Sequence, residues 1–270
     1  MTLPALADES AKATSENAIE SGAPRTFRLC WARSPAEVEQ AQRLRFRVFA
    51  RELGARLHTP AGTPDGHDAD AFDPHCAHLL VRAVGNEQHG EVIATCRVLL
   101  PEAAQRARGL YSQGEFDLAP LRALLPQALE MGRVCVHPQW RRGMVVMAIW
   151  RELGQLLVRR GLQVMIGCSS VGLADGGELA RHMWHALQGA HLAPPGMRVA
   201  PHRPLPLGEA ARFTDAAPPD VPPLIKGYLR LGGRLLGPPA LDEAFNTADF
   251  PMMMRVADMP ARYSRRIFGA

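Results

Sequence analysis

Apolar positions along the chain follow two spacings, one typical of strands and one typical of helices. Short apolar runs predict strands at residues 27–32, 78–84, 91–100, 129–136, 162–168, 234–236 and 250–256. Apolar residues at helical spacing predict a helix that begins near residue 35 and further helices at residues 145–160, 178–187, 224–231 and the C-terminus. This alternation predicts an α/β (α+β) fold, in which a mixed central β-sheet is flanked by helices.

Local signals mark the start of the first helix and the first hairpin. Ser34 is a typical N-cap residue, Pro35 suits the first helical position, and Glu37 completes a capping box. The polar segment between the second and third predicted strands contains Gly85 and Gly90, so we expect these strands to form a hairpin.

The chain divides into a tail and one domain. Residues 1–24 are rich in Ala, Ser and Glu, which predicts a disordered N-terminal tail. Residues 25–270 carry the strand and helix pattern without a clear linker and are expected to form a single domain. Its Pro-rich part, from about residue 205 to residue 270, is expected to be a C-terminal elaboration.

Composition narrows the class of protein. The 270 residues are 47% hydrophobic, enough for a substantial core, but no run of eighteen apolar residues predicts a membrane span. Five scattered cysteines without a CxxC pair favour a reducing, cytoplasmic setting. The formal charge of +4 comes from an excess of arginine, explained either by GC-rich codon usage or by a surface for an acidic partner. Nucleic-acid binding is not expected, because no dense basic stripe is interleaved with aromatic residues.

Several common catalytic motifs are absent from the sequence. There is no GxSxG elbow, and none of the ten histidines is followed by Asp five residues later, as the glycerolipid-acyltransferase motif requires. The polar segment of residues 58–74 is expected to be a loop that contacts substrate. This loop and the residues just after it are dense in Asp and His, but such residues also favour turns, and no ligand spacing lies on a helix or strand. We therefore expect no metal site.

Charged residues inside apolar elements are the best candidates for chemistry. Glu130 and Arg133 lie in the apolar strand predicted at residues 129–136. Because buried charges are costly unless paired or functional, this pattern indicates either a solvated strand face or a cleft in which Glu130 takes a proton from an amine. Arg45 in the first helix and Arg97 in the third strand are candidates for binding carboxylate groups, or for extending from the ends of their elements into solvent.

Seven sequence blocks resemble those of the ornithine–acyl-carrier-protein N-acyltransferases, a family also called hemolysin-like. The blocks are LRFRVFARE (44–52), AFDPHCAHLLV (71–81), TCRVLL (95–100), YSQGEFDL (111–118), EMGRVCVHP (130–138), PPLIKGYLRLG (222–232) and FNTADF (245–250). The resemblance extends from about residue 28 to the C-terminus. It implies a GNAT-like fold, similar to that of the acyl-homoserine-lactone autoinducer synthases.

The resemblance also implies a reaction. Members transfer a (3-hydroxy) fatty acyl group from acyl carrier protein to the α-amine of L-ornithine, the first step of ornithine-lipid synthesis, and form lyso-ornithine lipid. The donor is the acyl 4'-phosphopantetheine arm of the carrier protein, and no cofactor is bound permanently. By similarity with the autoinducer synthases, the resemblance implies a site lined by Arg45, Phe49, Asp73, Arg97, Glu130 and Arg133.

We assign hypothetical roles in substrate binding and catalysis to the residues of this site. Arginines bind the carboxylate of the amino acid, Asp73 meets its side-chain ammonium, and backbone N–H groups near Val134 polarise the thioester carbonyl. Ordinary GNAT enzymes bind the CoA pyrophosphate with a two-glycine loop, whereas the equivalent stretch here is Arg141, Arg142 and Gly143. This departure favours a carrier-borne arm, whose phosphate or acidic carrier side chains these arginines are expected to meet.

Two kinds of alternative stay open on the sequence. The amine acceptor could instead be lysine, glycine or S-adenosylmethionine. The chain could also be a non-catalytic acyl-carrier or membrane-binding module, because its terminal stretch of Arg262, Arg265, Arg266 and Phe268 suits peripheral contact with the inner membrane. The helix predicted at residues 178–187 has no Tyr to act as a general acid, so protonation of the leaving thiolate is unassigned.

Overall fold

The computed structural model describes residues 26–84, 90–141, 143–209 and 218–268. Its strands are β1 (Phe27–Trp31), β2 (Ala77–Ala83), β3 (Val92–Leu99), β4 (Phe116–Asp117), β5 (Ala128–Val136), β6 (Val164–Gly172), β7 (Ala200–Pro201), β8 (Arg234–Leu235), β9 (Ala240–Asp242) and β10 (Thr247–Arg255). Its helices are α1 (Pro35–Arg45), α2 (Pro101–Arg106), α3 (Met144–Arg159), α4 (Glu178–His191), α5 (Pro223–Arg230) and α6 (Ala261–Phe268). The tail predicted for residues 1–24 lies outside the described residues.

The strands of the main sheet follow the order β1-β2-β3-β5-β6-β10-β8, and β9 pairs with β10 on the edge opposite β6. The pairs along this order are antiparallel except β5 with β6, which is parallel. The predicted mixed sheet and the predicted β2–β3 hairpin are therefore confirmed. Helices cover both faces, with α1 against the even-numbered face of β2 and α3 and α5 against the other.

The predicted start of α1 is confirmed by its cap. The Ser34 hydroxyl accepts a hydrogen bond from the backbone N–H of Glu37 at 3.3 Å, and the Glu37 carboxylate accepts one from the N–H of Arg33 at 2.7 Å. The helix does not stop at Arg45 but widens into a π-helical segment, Phe46–Glu52. Buried residues of this continuous element pack against β2, β3 and β5.

The strands β5 and β6 separate part-way along their length. They pair only through Ala128–Glu130, opposite residues 164–166, although both strands continue for six more residues. At the point of separation, a Cβ atom on Gly167 would overlap the Met131 carbonyl oxygen. The absence of a side chain at Gly167 thus allows the two backbones to approach closely just where the gap begins.

On its other edge, β5 contains a β-bulge. The register pairs Thr95 with Cys135 and Arg97 with Gly132, so two residues of β5, Arg133 and one neighbour, oppose a single residue of β3. Arg133 adopts a positive φ of 49°, which is uncommon outside glycine. A bulge interrupts the ladder and leaves backbone groups of the extra residue unpaired, so β5 is irregular on both edges at the same level.

Gly167 provides a test of this close approach. We expect Gly167→Ala to lower the free energy of unfolding by about 1–3 kcal/mol, because the added methyl group forces the β5 backbone to move. The matched control is Gly172→Ala in the same strand, where an added Cβ meets no atom within 4 Å. Chemical denaturation of both variants checks the prediction, and equal stabilities would show that the approach at Gly167 is not restrictive.

Candidate active site

A cleft with a cavity volume of about 200 Å³ opens where β5 and β6 separate. One wall is the stretch of β5 from Glu130 to Val134, together with Arg97 of β3. The opposite wall is formed by Cys168 and Ser170 of β6 and by Asp249 of β10. Four aromatic side chains also line the cleft, and they are Phe49, Phe72, Tyr111 and Phe245. The cleft therefore combines apolar rings with a few charged groups, as is typical of a small-molecule site.

Three arginines and three aspartates alternate in a closed ring beside and beneath this cleft. Arg45 binds Asp73 through both terminal nitrogens, with distances of 3.1 Å from Nη1 to Oδ1 and 2.5 Å from Nη2 to Oδ2. Its Nε lies 2.9 Å from Oδ2 of Asp68, and Nη2 also donates to the Asp68 carbonyl. The Arg45 side chain is 0% exposed, so its charge is satisfied entirely within the protein.

The other half of the ring reaches the cleft. Arg97 donates through Nη1 to Asp73 Oδ1 at 2.7 Å and to Asp70 Oδ1 at 2.5 Å. Arg133 contacts Asp70 Oδ2 through Nη2 at 3.1 Å and Asp68 Oδ2 through Nε at 3.4 Å, which closes the ring. The six formal charges of the ring cancel.

The ring changes the acidity of its carboxyl groups. Burial alone raises the pKa of Asp73 and Asp70, but neighbouring arginines outweigh burial and hold both pKa values below the usual 3.8. His78, whose Nε2 lies 3.1 Å from the Asp73 carbonyl, has its pKa lowered to about 4 mainly by burial. It is therefore neutral at physiological pH, and the ring does not gain a fourth cation.

Glu130 is held by the segment that follows α2. Its Oε2 accepts a hydrogen bond from the backbone N–H of Tyr111 at 2.7 Å, and its Oε1 accepts one from the N–H of Ser112 at 2.8 Å. The Ser112 hydroxyl also donates to Oε1. Burial raises the pKa of Glu130 above its usual value, although these hydrogen bonds and the charge of Arg97 oppose the rise. The carboxyl group thus faces the cleft with a raised proton affinity.

A second acidic group lies on the opposite wall. Glu115, Cys168 and Asp249 each bring one polar atom within 4.8 Å of the others, and Asp242 lines the same cleft. Burial and the proximity of Asp249 raise the pKa of Glu115 to about 9, and burial raises the pKa of Asp249. Carboxyl groups this close share a proton rather than ionising together.

Comparison with known proteins identifies the family. Residues 44–151 match the acetyltransferase (GNAT) domain. The L-ornithine N(alpha)-acyltransferase of Brucella abortus (strain 2308) is 33% identical over 264 residues, which is 93% of this chain and 92% of that protein. The enzyme of the same name from Rhodobacter capsulatus is 34% identical over 92% of this chain and 99% of its own length. The chain belongs to the L-ornithine Nα-acyltransferase family. It is an N-acyltransferase of the GNAT type.

Solved structures agree on the fold. The AHL synthase LasI superposes with a TM-score of 0.50 at 12% identity, covering 92% of this chain and 97% of that chain. FeeM, an N-acyl amino acid synthase from uncultured soil microbes, gives a TM-score of 0.50 at 10% identity, covering 88% of this chain and 98% of that chain. The GNAT-like fold implied by the resemblance is therefore confirmed. Among the described residues, no helix is both long enough and apolar enough to cross a membrane.

The predicted site residues of this acyltransferase divide into three groups. Glu130, Val134, Arg97, Arg133 and Phe49 all line the cleft, and their roles there stay predictions.

Two of the predicted substrate-binding residues are placed differently. Arg45 and Asp73 lie beneath the cleft, at 0% and 5% exposure, where they bind each other. Their charged groups bind each other and also Asp68 and Arg97, and direct contact with substrate stays a prediction. Through Arg97, these contacts are linked to Asp70 of the same loop.

Two of the three residues predicted to contact the carrier protein, Arg141 and Gly143, lie just before α3. Arg141 donates to Glu52 at 2.5 and 2.8 Å and to the Val136 carbonyl at 3.0 Å, which ties α3 to the π-helical segment. Gly143 has a φ of 82° and directly precedes the helix. Arg142 lies outside the described residues. Carrier binding by this segment stays a prediction.

Sequence reasoning missed several residues of the site. The composition of the loop suggests only that Asp68 and Asp70 favour turns, but they supply two of the three aspartates of the ring. Tyr111 and Phe245 enclose the Arg133 guanidinium, with 5.0 and 4.6 Å between its central carbon and the ring centroids. The available signal was the presence of Tyr111 and Phe245 at the starts of two family-like blocks.

Removal of one ring carboxylate tests the ring. We expect Asp73→Asn to lower the free energy of unfolding by about 3–5 kcal/mol, because two buried arginines lose part of their compensation. The control is Asp220→Asn, whose side chain is 96% exposed beside Lys226. Urea denaturation measures the free energy of unfolding of both variants. Similar decreases for the two would show that the ring does not stabilise the fold.

Acid should destabilise the protein through the same ring. The unfolded chain protonates Asp70 and Asp73 near pH 3.8, whereas the folded ring does so only at lower pH, so their stabilisation is complete above about pH 5 and is lost as the pH falls. Neutral His78 adds to the loss, because it must stay uncharged below the ordinary pKa of histidine. Denaturation midpoints between pH 3 and pH 6 should fall steeply for the wild type and less steeply for Asp73→Asn.

Proposed function

We propose that this chain transfers a (3-hydroxy) fatty acyl group from acyl carrier protein to the α-amine of L-ornithine and so forms lyso-ornithine lipid. The observation that carries the proposal is a cleft in which Arg97 and Arg133 stand beside the gap between β5 and β6. The names of the relatives support ornithine as the acceptor. The reaction is the first step of ornithine-lipid synthesis.

The gap between β5 and β6 suits the acyl-pantetheine arm of the carrier protein. A thioester placed there lies against Gly132 and Val134, where β5 is no longer paired with β6 and its backbone N–H groups on that edge are available. Such donors stabilise the oxyanion that develops on the carbonyl oxygen. The carrier protein itself meets the mouth of the gap, where Arg141 and Gly143 begin α3. No permanently bound cofactor or metal is needed in this scheme.

Ornithine is oriented by its charges. Arg97 uses Nη1 for the ring and Arg133 uses Nε and Nη2, so the carboxylate of the amino acid is bound by Nε and Nη2 of Arg97 and by Nη1 of Arg133. The α-amine then faces Glu130, which removes its proton directly or through water. The free amine attacks the thioester carbonyl carbon, a C–N bond forms, the C–S bond breaks, and the pantetheine thiolate leaves and takes up a proton. An α-amine titrates near ~8 and a side-chain amine near ~10.4, so the α position is easier to activate.

The C-terminal helix supports a peripheral contact with the inner membrane. Arg262 and Arg265 are exposed on α6. Basic side chains near anionic lipids add about 1 kcal/mol each to binding. A cytoplasmic enzyme held in this way would release its acylated product next to the bilayer.

An acceptor panel tests the proposed function. Purified protein with hydroxymyristoyl carrier protein should acylate ornithine at its α-nitrogen, as shown by tandem mass spectrometry, and should acylate lysine, glycine and S-adenosylmethionine far less. Preferred acylation of another amine would show that this amine, and not ornithine, is the acceptor. No acylated amine at all would favour a non-catalytic carrier-binding or membrane-binding module.

Glu130→Gln tests the proposed base. We expect kcat to fall by about 10²-fold or more, because the amide cannot take the proton, while the KM for ornithine changes little. Glu102→Gln, an exposed carboxylate of α2, is the control and should keep wild-type activity. A thermal melt establishes that the Glu130 variant is folded. Near-normal turnover by the folded variant would remove Glu130 from the role of base.

A further inference from the structure

We infer that Asp249, with Glu115 and Asp242, forms the subsite that binds the side-chain ammonium of ornithine and so selects a diamino acid as the acceptor. The inference rests on the proposed function and adds to it the residues that recognise the second amine. We call these three residues the acidic subsite. The sequence predicts that Asp73 binds this ammonium, but in the structure the Asp73 carboxylate binds Arg45 and Arg97.

The fold places the acidic subsite in the same cleft as the arginines. Asp249 lies on β10 directly opposite Ser170 of β6, and both line the cleft. Asp242 comes from β9, opposite Thr247. Glu115 follows the turn that supports Glu130, and its carboxyl group reaches Asp249.

One aromatic side chain lies between the two charged parts of the cleft. The Tyr111 ring packs under Arg133, with 5.0 Å between the guanidinium carbon and the ring centroid. The Tyr111 hydroxyl interacts with Arg133 on one side and with Glu115 on the other. A ligand that spans this ring therefore meets guanidinium groups at one end and carboxyl groups at the other, which matches the carboxylate and side-chain ammonium of one extended amino acid.

The balance of charge points to a missing cation. The guanidinium groups near the cleft are matched by the aspartates of the ring, whereas no arginine or lysine among the described residues forms an ion pair with Glu115, Asp242 or Asp249. Asp249 is 3% exposed and receives a hydrogen bond from the Thr247 hydroxyl at 2.9 Å. Oε2 of Glu115 is buried and accepts no hydrogen bond from the described residues. Buried carboxyl groups without a counter-charge are costly, and a bound ammonium removes that cost.

The contacts between the acidic subsite and the δ-ammonium also explain why the α-nitrogen, and not the δ-nitrogen, is acylated. A carboxylate beside an ammonium raises the pKa of that ammonium, so the δ-amine stays protonated and is a poor nucleophile. The α-amine has no such partner beyond the base and is free to lose its proton. The acidic subsite thus both selects the acceptor and protects the second amine from acylation.

Binding of an amino acid that lacks the second amine gives the sharpest test. Norvaline has the carbon chain of ornithine without the δ-amine, and calorimetry measures both ligands without any acyl donor. We expect the wild type to prefer ornithine by at least about 30-fold, the range of hydrogen bonds to charged groups. Asp249→Asn should weaken ornithine binding by a similar factor and leave norvaline binding unchanged. Glu115→Gln should act in the same direction, so the test stands if one variant fails to fold.

The control variant is Glu243→Gln. Glu243 neighbours Asp242 in the chain, but its side chain is 62% exposed and pairs with Arg203. It should bind ornithine like the wild type. Equal loss of ornithine and norvaline binding in Asp249→Asn, or equal affinity of the wild type for both ligands, would overturn the inference. Tight, stoichiometric Zn²⁺ binding that Asp249→Asn abolishes, without any ornithine preference, would replace it with a metal site.

Proton release provides a second readout. The groups around the subsite are the carboxyl groups of Glu115, Asp242 and Asp249, the Cys168 thiol and the Tyr111 hydroxyl. The carboxyl groups of Glu115 and Asp249 share a proton when the site is empty, and a bound ammonium should displace it. Ornithine binding at pH 7 should therefore release a proton, measured by calorimetry in buffers of different ionisation enthalpy, whereas norvaline binding should not. Equal proton release by the two ligands would contradict the inference.

The two hypotheses fail in different ways. If the wild type binds ornithine over norvaline but acylates neither from the carrier protein, the acidic subsite stands and the proposed reaction is wrong. If the wild type acylates ornithine and Asp249→Asn does so with unchanged kcat/KM and an unchanged preference over norvaline, the reaction stands and the acidic subsite is wrong.

Discussion

The site depends on the closed ring of three arginines and three aspartates. The loop between the π-helical segment and β2 has little regular structure, so its position relies on Asp68, Asp70 and Asp73 binding arginines of three different elements. Arg45 comes from the end of α1, Arg97 from β3 and Arg133 from the bulge of β5. Because each member binds two others, removal of one leaves two buried charges with part of their compensation lost, so the ion pairs of the ring depend on one another.

The sheet and its helices could be predicted because their signals are local. Apolar runs located the long strands, and the Ser34 cap located α1. The start of β10 was missed by three residues because Thr247 and Asp249 are polar, as expected where a strand faces a site rather than the core. β9 is three residues long and carries no apolar alternation. The sequence does not predict the π-helical segment after Arg45, because its residue pattern does not differ from that of an α-helix.

The site was only partly predictable, for a related reason. Glu130 and Arg133 were found because a charge inside an apolar strand is locally anomalous. Whether Asp73 meets a ligand or an arginine depends on distances across the fold, and no spacing along the chain contains that information. The acidic subsite is a stronger case, since Glu115 and Asp249 are 134 positions apart in the chain and meet only in the folded protein.

Compensation of buried charge separates the structural residues from the functional ones. In the ring, every carboxylate has an arginine, the pKa values of Asp70 and Asp73 are lowered, and the consequence is stability. In the acidic subsite, carboxyl groups face each other, the pKa values of Glu115 and Asp249 are raised, and the consequence is affinity for a cation that the protein does not supply. Both arrangements use acidic residues at similar burial, so composition cannot tell them apart. The sign of the pKa change does, because it records whether neighbouring opposite charges outweigh the effect of burial.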